Sequence, residues 1–206
     1  MGQITTGIRS ILNHPVIYDS SQRFVGREQQ GLADFVRDFV RPRPGDKVLD
    51  IGCGTAKIID FLSGVSYWGF DPSPAYIKQA RKIYGSAGIF FCKELTREDL
   101  DALPAFDIVL MIGVLHHLDD KTAGVMLRLA HQALKPGGRL ITIDACFIPR
   151  QNPIARCLIS WDRGQNVRAQ EGYSQLVAGI FPAPRVEIRH RRWIPWTYCA
   201  MECART

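Results

Sequence analysis

The chain has 206 residues, 46% of them hydrophobic and 22% charged, with a net charge of +6. That length supports one core of useful size, and no uninterrupted apolar run approaches the ~20 residues a membrane helix needs. Six cysteines at 53, 92, 146, 157, 199 and 203 form no CxxC pair and no metal-finger spacing, so reduced packing thiols are expected and no metal site. Cys199 and Cys203 would share a strand face about 13 Å apart, too far to bridge. The opening "MGQITTGIRSILNHPVIYDSS" has no apolar stretch suited to a signal peptide, which leads to the expectation of a cytoplasmic protein.

Residues 1–41 read as an N-terminal helical arm, closed by "PRPGD" (42–46). From there short apolar runs alternate with amphipathic stretches. "KVLDI" (47–51) reads as a strand, "TAKIIDFLS" (55–63) as a helix and "SYWGF" (66–70) as a strand. The helix "SPAYIKQARKIYG" (73–85), the strand "GIFFC" (88–92) and a short helix near 96–103 follow. "FDIVLMI" (106–112) is a strand, "DKTAGVMLRLAHQAL" (120–134) a helix, "PGG" a turn and "RLITIDA" (139–145) a fifth strand. Five strands separated by helices predict a parallel sheet covered on both faces. A polar helical insert then leads to two alternating runs, 185–193 and 196–204, expected as an antiparallel hairpin on the sheet edge. Residues 150–206 hold nine Arg, no Lys and four acids. Such a surplus suits either bidentate recognition of an anion or a plain solvated surface.

"VLDIGCGTA" (48–56) is a strand running into Gly-x-Gly and then a predicted helix. Glycines there permit positive φ and close approach of a ligand to the backbone, and a helix start offers unpaired N–H groups. Asp50 ends the first strand, and Asp71, 21 residues on, ends the second. A carboxylate at that second tip can grip both ribose hydroxyls, or simply cap the following helix. A dinucleotide fingerprint needs a third glycine at position 57, where Lys57 stands. An acid two residues before the first glycine also repels phosphate and favours a cationic ligand.

With these motifs in order, "VLDIGCGTA", "GFDPSPAYIKQAR", "FDIVLMIGVLHHLDD" and "LKPGGRLITID", residues 46–145 resemble a class I S-adenosylmethionine-dependent methyltransferase of the small-molecule, type 11/12-like kind. The resemblance implies an α/β, Rossmann-like doubly wound sheet of seven strands in the order 3-2-1-4-5-7-6, the last strand antiparallel. It implies a single domain over 1–206: the arm (1–41), a cofactor-binding core (42–145), an acceptor-side insert (146–183) and a terminal β hairpin (184–206). S-adenosyl-L-methionine is the implied cofactor and S-adenosyl-L-homocysteine its product, with no metal. Asp50, Gly52, Cys53 and Gly54 would line the methionine half, and Asp71 would hold the ribose. Pro72, Glu94 and Leu95 would meet the adenine, and Met111, Ile112 and His117 would complete the cofactor side. Ala56 stands where the family often has another glycine.

Methyl transfer needs an aligned nucleophile and, for a hydroxyl or ammonium, a base; imidazole suits neutral pH. The similar phosphoethanolamine N-methyltransferases place a catalytic histidine at the position of His116, paired with a tyrosine of the arm. Tyr18 stands in the corresponding stretch here, giving a candidate Tyr18–His116 dyad in which Tyr18 also closes over the cofactor. "VLHHL" recurs in the superfamily whatever the substrate, so a packing role for the second histidine stays open. In the insert, Arg156, Arg163 and Arg168 would clamp a carboxylate or phosphate, with Trp161 and Tyr173 as apolar contacts. The competing reading pairs Asp162 with a neighbouring arginine and leaves the rest exposed.

No Asn/Asp-Pro-Pro-Tyr/Phe turn follows the fourth strand, no glutamate pair and no carboxylate cluster. These absences argue against base-amine, protein-arginine and metal-dependent catechol chemistries. The expected reaction is methylation of an oxygen or nitrogen on a small metabolite, the expected partner a small-molecule acceptor and not nucleic acid. The alternatives are an RNA or protein methyltransferase, or a catalytically silent cofactor-binding partner protein. The oligomeric state is left open.

Overall fold

The computed structural model describes residues 28–161, 164–191 and 195–206. They fall into two compact units, one ending at Glu94 and the other running from Leu95 to Thr206.

The first unit begins with α1 (Glu28–Phe35), which passes into a single π turn, Val36–Val40. Arg41 ends it with φ 44°, and its N–H donates to Val36 O. Strands β1 (Lys47–Ile51), β2 (Ser66–Phe70) and β3 (Ile89–Phe91) follow. β1 and β2 run parallel with Val48 beside Tyr67, and β2 pairs parallel with β3. Helix α2 (Pro74–Tyr84) starts where it does because Ser73 accepts from Tyr76 N–H and Pro74 takes the first turn. There the missing amide hydrogen costs nothing. Ile77 and Ala80 form its buried face.

The helix expected over 55–63 is instead a five-residue 3₁₀ turn, Lys57–Phe61. Ala56 precedes it with φ 59°, a left-handed conformation that no α-helix can continue through. The chain therefore leaves the glycine turn without the long helix that a dinucleotide fold would supply.

The second unit holds a short helix α3 (Arg97–Leu100), β4 (Phe106–Ile112), α4 (Asp120–Ala133) and β5 (Leu134–Phe147). β4 is buried along nearly its whole length, as a strand covered on both faces must be. Each fully buried aliphatic side chain there contributes about 1.5–3 kcal/mol over leaving it in water. α4 starts at Asp119, whose carboxylate accepts from Thr122 N–H at 2.7 Å. That hydrogen bond, first among the causes, holds Asp119 below the usual carboxylate range. The helix ends at Leu134, where the backbone turns extended.

β5 starts earlier than the pattern suggests. Phe106 pairs with Leu134 and Ile108 with Arg139, so Lys135–Gly138 bulge out of the ladder. The "PGG" turn is thus an interruption within a strand, with Gly137 at φ 77°. The insert holds α5 (Pro153–Ser160), a two-residue strand β6 (Arg168–Ala169) and α6 (Gln170–Ala178). β6 runs parallel to β5 with Cys146 beside Arg168, a pairing the sequence did not announce. β7 (Arg185–Arg191) and β8 (Trp196–Ala204) form the expected hairpin, and β8 lies antiparallel to β5. The strand order is β3-β2-β1-β4-β5-β8-β7, with β6 off the path. It is the anticipated order once β6 is set aside.

Candidate functional site

In the first unit two acids flank the glycine turn. Asp50 is 2% exposed and accepts a 2.6 Å hydrogen bond on Oδ2 from the Tyr67 hydroxyl. Its Oδ1 is buried with no protein partner among the described residues. Burial pushes its pKa up to about 7, against the pull of the Tyr67 hydrogen bond and with a smaller push from Asp71. A buried carboxylate oxygen without a donor is costly, and a cationic ligand relieves that cost.

Asp71 is also buried. Its Oδ2 accepts from Gly54 N–H at 3.0 Å and its Oδ1 from Ser73 N–H at 2.8 Å. Burial raises its pKa, opposed by those two bonds. A carboxylate oxygen has two lone-pair directions, so each oxygen keeps one for a hydroxyl of a cis-diol. The helix-capping role and the ribose role are therefore compatible.

The turn itself spends its amides inward. Gly52 and Cys53 both donate to Phe70 O, Gly54 to Asp71, and Ala56 to Cys53 O. Positive φ at Gly52 (76°) and Gly54 (54°) makes that geometry possible. A pyrophosphate cradle needs outward-pointing N–H groups, and these four point elsewhere. These four amides are therefore unavailable to a phosphate. The residues fit a donor with an ammonium and a ribose and without a phosphate.

Of the other cofactor residues read from the sequence, Pro72 and Glu94 are exposed and Cys53 is half-buried. Leu95 and Met111 are core side chains, at 2% and 0% exposure, so neither presents its side chain to an open surface. Ile112 is half-buried.

In the second unit β4 ends in Gly113 and a 3₁₀ turn, Leu115–His117. His116 is buried, and its Nδ1 lies 2.8 Å from Asp144 Oδ1. The same oxygen accepts His116 N–H at 3.1 Å. A carboxylate only accepts, so Nδ1 carries the hydrogen and the basic lone pair of the neutral ring belongs to Nε2. The His117 ring lies 4.0 Å from that of His116, centroid to centroid, and is half-buried. Asp144 is 1% exposed, and its Oδ2 has no partner among the described residues. The sequence reading passed over Asp144. Its place near the end of the predicted strand 139–145, after four apolar or hydroxyl residues in "LITID", was the available signal.

The insert reaches this histidine turn from another side. Asn166 N–H donates to His116 O at 2.9 Å. A Cβ built on Gly164 would stand 2.1 Å from His116 Cδ2 and 2.6 Å from His116 O, so only glycine fits. Arg168 donates from Nη1 to Leu115 O and Asn166 O, from Nη2 to Leu118 O and Asp120, and from Nε to Asp120. All five N–H donors of a guanidinium are thereby in use. Arg168 ties the insert to the histidine turn and holds none in reserve for a substrate anion. Tyr173 is fully buried, donates to Ala145 O at 2.7 Å and lies under Arg168. It too braces the fold and presents no surface to an acceptor. Arg156 stands over the Phe147 ring at 5.1 Å, and Trp161 is 67% exposed. Tyr18 and Arg163 lie outside the described residues. Among the described residues no group of side chains is arranged to hold a metal ion, and no helix is long and apolar enough to cross a membrane.

Residues 49–140 match the family model described as a methyltransferase domain. The matched segment is 92 of the 206 residues, just under half of the chain. A ubiquinone biosynthesis O-methyltransferase of Azorhizobium caulinodans is 36% identical over 106 residues, 50% of this chain and 41% of that protein. A tRNA U34 carboxymethyltransferase of Shewanella frigidimarina is 32% identical over 114 residues, 52% of this chain and 34% of that protein. The chain thus matches less than half the length of these curated relatives. The S-adenosylmethionine-dependent methyltransferase SibL, in its apo form, superposes with a TM-score of 0.67 over 93% of this chain and 59% of its own. At 20% identity that likeness establishes the fold.

Proposed function

We propose that this protein transfers a methyl group from S-adenosylmethionine to an oxygen or nitrogen of a small metabolite. The observation that carries the reading is the glycine turn between Asp50 and Asp71. Four of its amides are spent on the protein while two buried acids flank it. A phosphate-bearing cofactor is repelled there, and a donor with an ammonium and a ribose is held.

S-adenosylmethionine supplies a methyl already activated on a positively charged sulfur. Asp50 Oδ1 would receive the ammonium, and Asp71 would accept from the two ribose hydroxyls. His116, oriented through Nδ1 by Asp144, would take the proton of the acceptor's oxygen or nitrogen on Nε2. A positioned base of this kind contributes about 10²–10⁴-fold. Tyr18 serves as the arm's contribution to the same chemistry. Arg156 and Arg163 remain the insert's anion-binding residues, and Trp161 its aromatic surface.

The Shewanella relative and the arginine surplus of residues 150–206 favour a second reading, with tRNA as acceptor. One experiment separates the two: methyl-labelled S-adenosylmethionine is offered with phenolic and amine metabolites or with total tRNA. Label in a small molecule, insensitive to salt, is the expected result. Label confined to tRNA, with binding that falls steeply as salt rises, replaces the first reading by the second. Donor binding without turnover on either pool identifies a silent partner protein.

A further inference from the structure

Tyr67 is placed by the sheet itself. Val48 pairs with Tyr67 in the parallel ladder of β1 and β2, and Asp50 lies two residues beyond Val48 on the same face. A tyrosine side chain reaches such a diagonal neighbour. Its ring is fixed against Phe90 at 5.9 Å, and its hydroxyl ends 2.6 Å from Asp50 Oδ2.

We infer that Tyr67 is a positioning residue for the donor's ammonium: by occupying Oδ2 of Asp50 it reserves Oδ1 as a buried anionic acceptor. This rests on the functional reading above and adds a residue to it. The groups that face Asp50 electrostatically are the carboxylate of Asp71 and the thiol of Cys53, the latter pushed well up by burial and by both acids. Burial and Asp71 both favour protonated Asp50, and the Tyr67 hydrogen bond favours the ionised form. A protonated Asp50 cannot pair with an ammonium. Tyr67 therefore keeps the pocket competent at neutral pH. Its own phenol stays protonated, because burial and the neighbouring acid drive its pKa well upward.

The test is calorimetric titration of wild type and Tyr67→Phe with S-adenosylhomocysteine and with 5′-methylthioadenosine, between pH 5.5 and 7.5. The second ligand keeps adenine, ribose and sulfur but has no ammonium, and its binding reports an intact nucleoside site. The expected result is about tenfold or greater weakening for S-adenosylhomocysteine at pH 6.5, narrowing toward pH 7.5, with 5′-methylthioadenosine unchanged. Equal weakening of both ligands, or no weakening of either, overturns the tyrosine's role while leaving the donor assignment intact. A wild-type protein that binds neither ligand overturns both.

Discussion

The acid pair at the glycine turn and the acid–imidazole pair after β4 both bury carboxylates, yet they are held by different means. Asp50 and Asp71 lean on neighbours that come with the turn: Tyr67 one strand over, and the amides of Gly54 and Ser73. Asp144 and His116 are joined across 28 residues of sequence, one from within β5 and the other from the turn after β4. The insert then locks their turn through Asn166 and Arg168. The first corner is built from residues 50–73, within one stretch of the chain. The second depends on strand register and on a loop far along the chain.

Removing the imidazole has the largest expected effect. His116→Ala lowers kcat by about 10²–10⁴-fold with donor affinity unchanged, measured by single-turnover label transfer. Asp144→Asn falls between that variant and wild type, because the ring loses its tautomer control but stays in place. A His116→Ala enzyme within tenfold of wild type leaves alignment alone to carry the reaction.

At the other corner, Asp50→Asn weakens donor binding by about a hundredfold while stabilising the unliganded protein. Burial raises the folded-state pKa of Asp50 above its unfolded value. Its contribution to stability is therefore fully present below about pH 4 and is lost as the pH rises through about 7. Asp50→Asn removes that loss, so the unliganded variant gains roughly 2–4 kcal/mol at pH 8 and nothing at pH 3.5. Denaturant unfolding at the two pH values checks this, and an equal gain at both contradicts the buried charge as its source.

Smaller effects belong to the insert. Gly164→Ala forces a Cβ into the His116 ring and costs about 1–3 kcal/mol by overpacking. Arg168→Lys keeps the charge but loses the five-donor fork, at about 1–2 kcal/mol. Asp120 is 81% exposed, so most of that loss comes from the carbonyls of Leu115 and Leu118. Both variants are read by thermal unfolding alongside kcat. A kcat that falls while donor affinity holds shows that the clamp serves the histidine turn.

This contrast also explains what the sequence could reveal. Periodicity predicts the strands, the resemblance carried by the four motifs implies their order, and the spacing of Asp50 and Asp71 predicts their shared corner. The hydroxyl of Tyr67 was invisible because nothing in "SYWGF" says which strand face meets Asp50. Register fixes that, and register is tertiary. The helix expected from residue 55 gave way to a 3₁₀ segment that begins only after Ala56, whose left-handed conformation composition does not signal. Arg168 and Tyr173 looked like ligand-binding residues because arginine and aromatic side chains serve both recognition and bracing. Only their partners distinguish the roles. Asp144 needed knowledge of which strand ends beside β4.

The most direct measurement is calorimetric titration of the purified protein with S-adenosylmethionine and, separately, with NAD. The account predicts saturable heat with S-adenosylmethionine and none with NAD, because four of the turn's amides are spent and two acids flank it. Saturable heat with NAD and none with S-adenosylmethionine contradicts it.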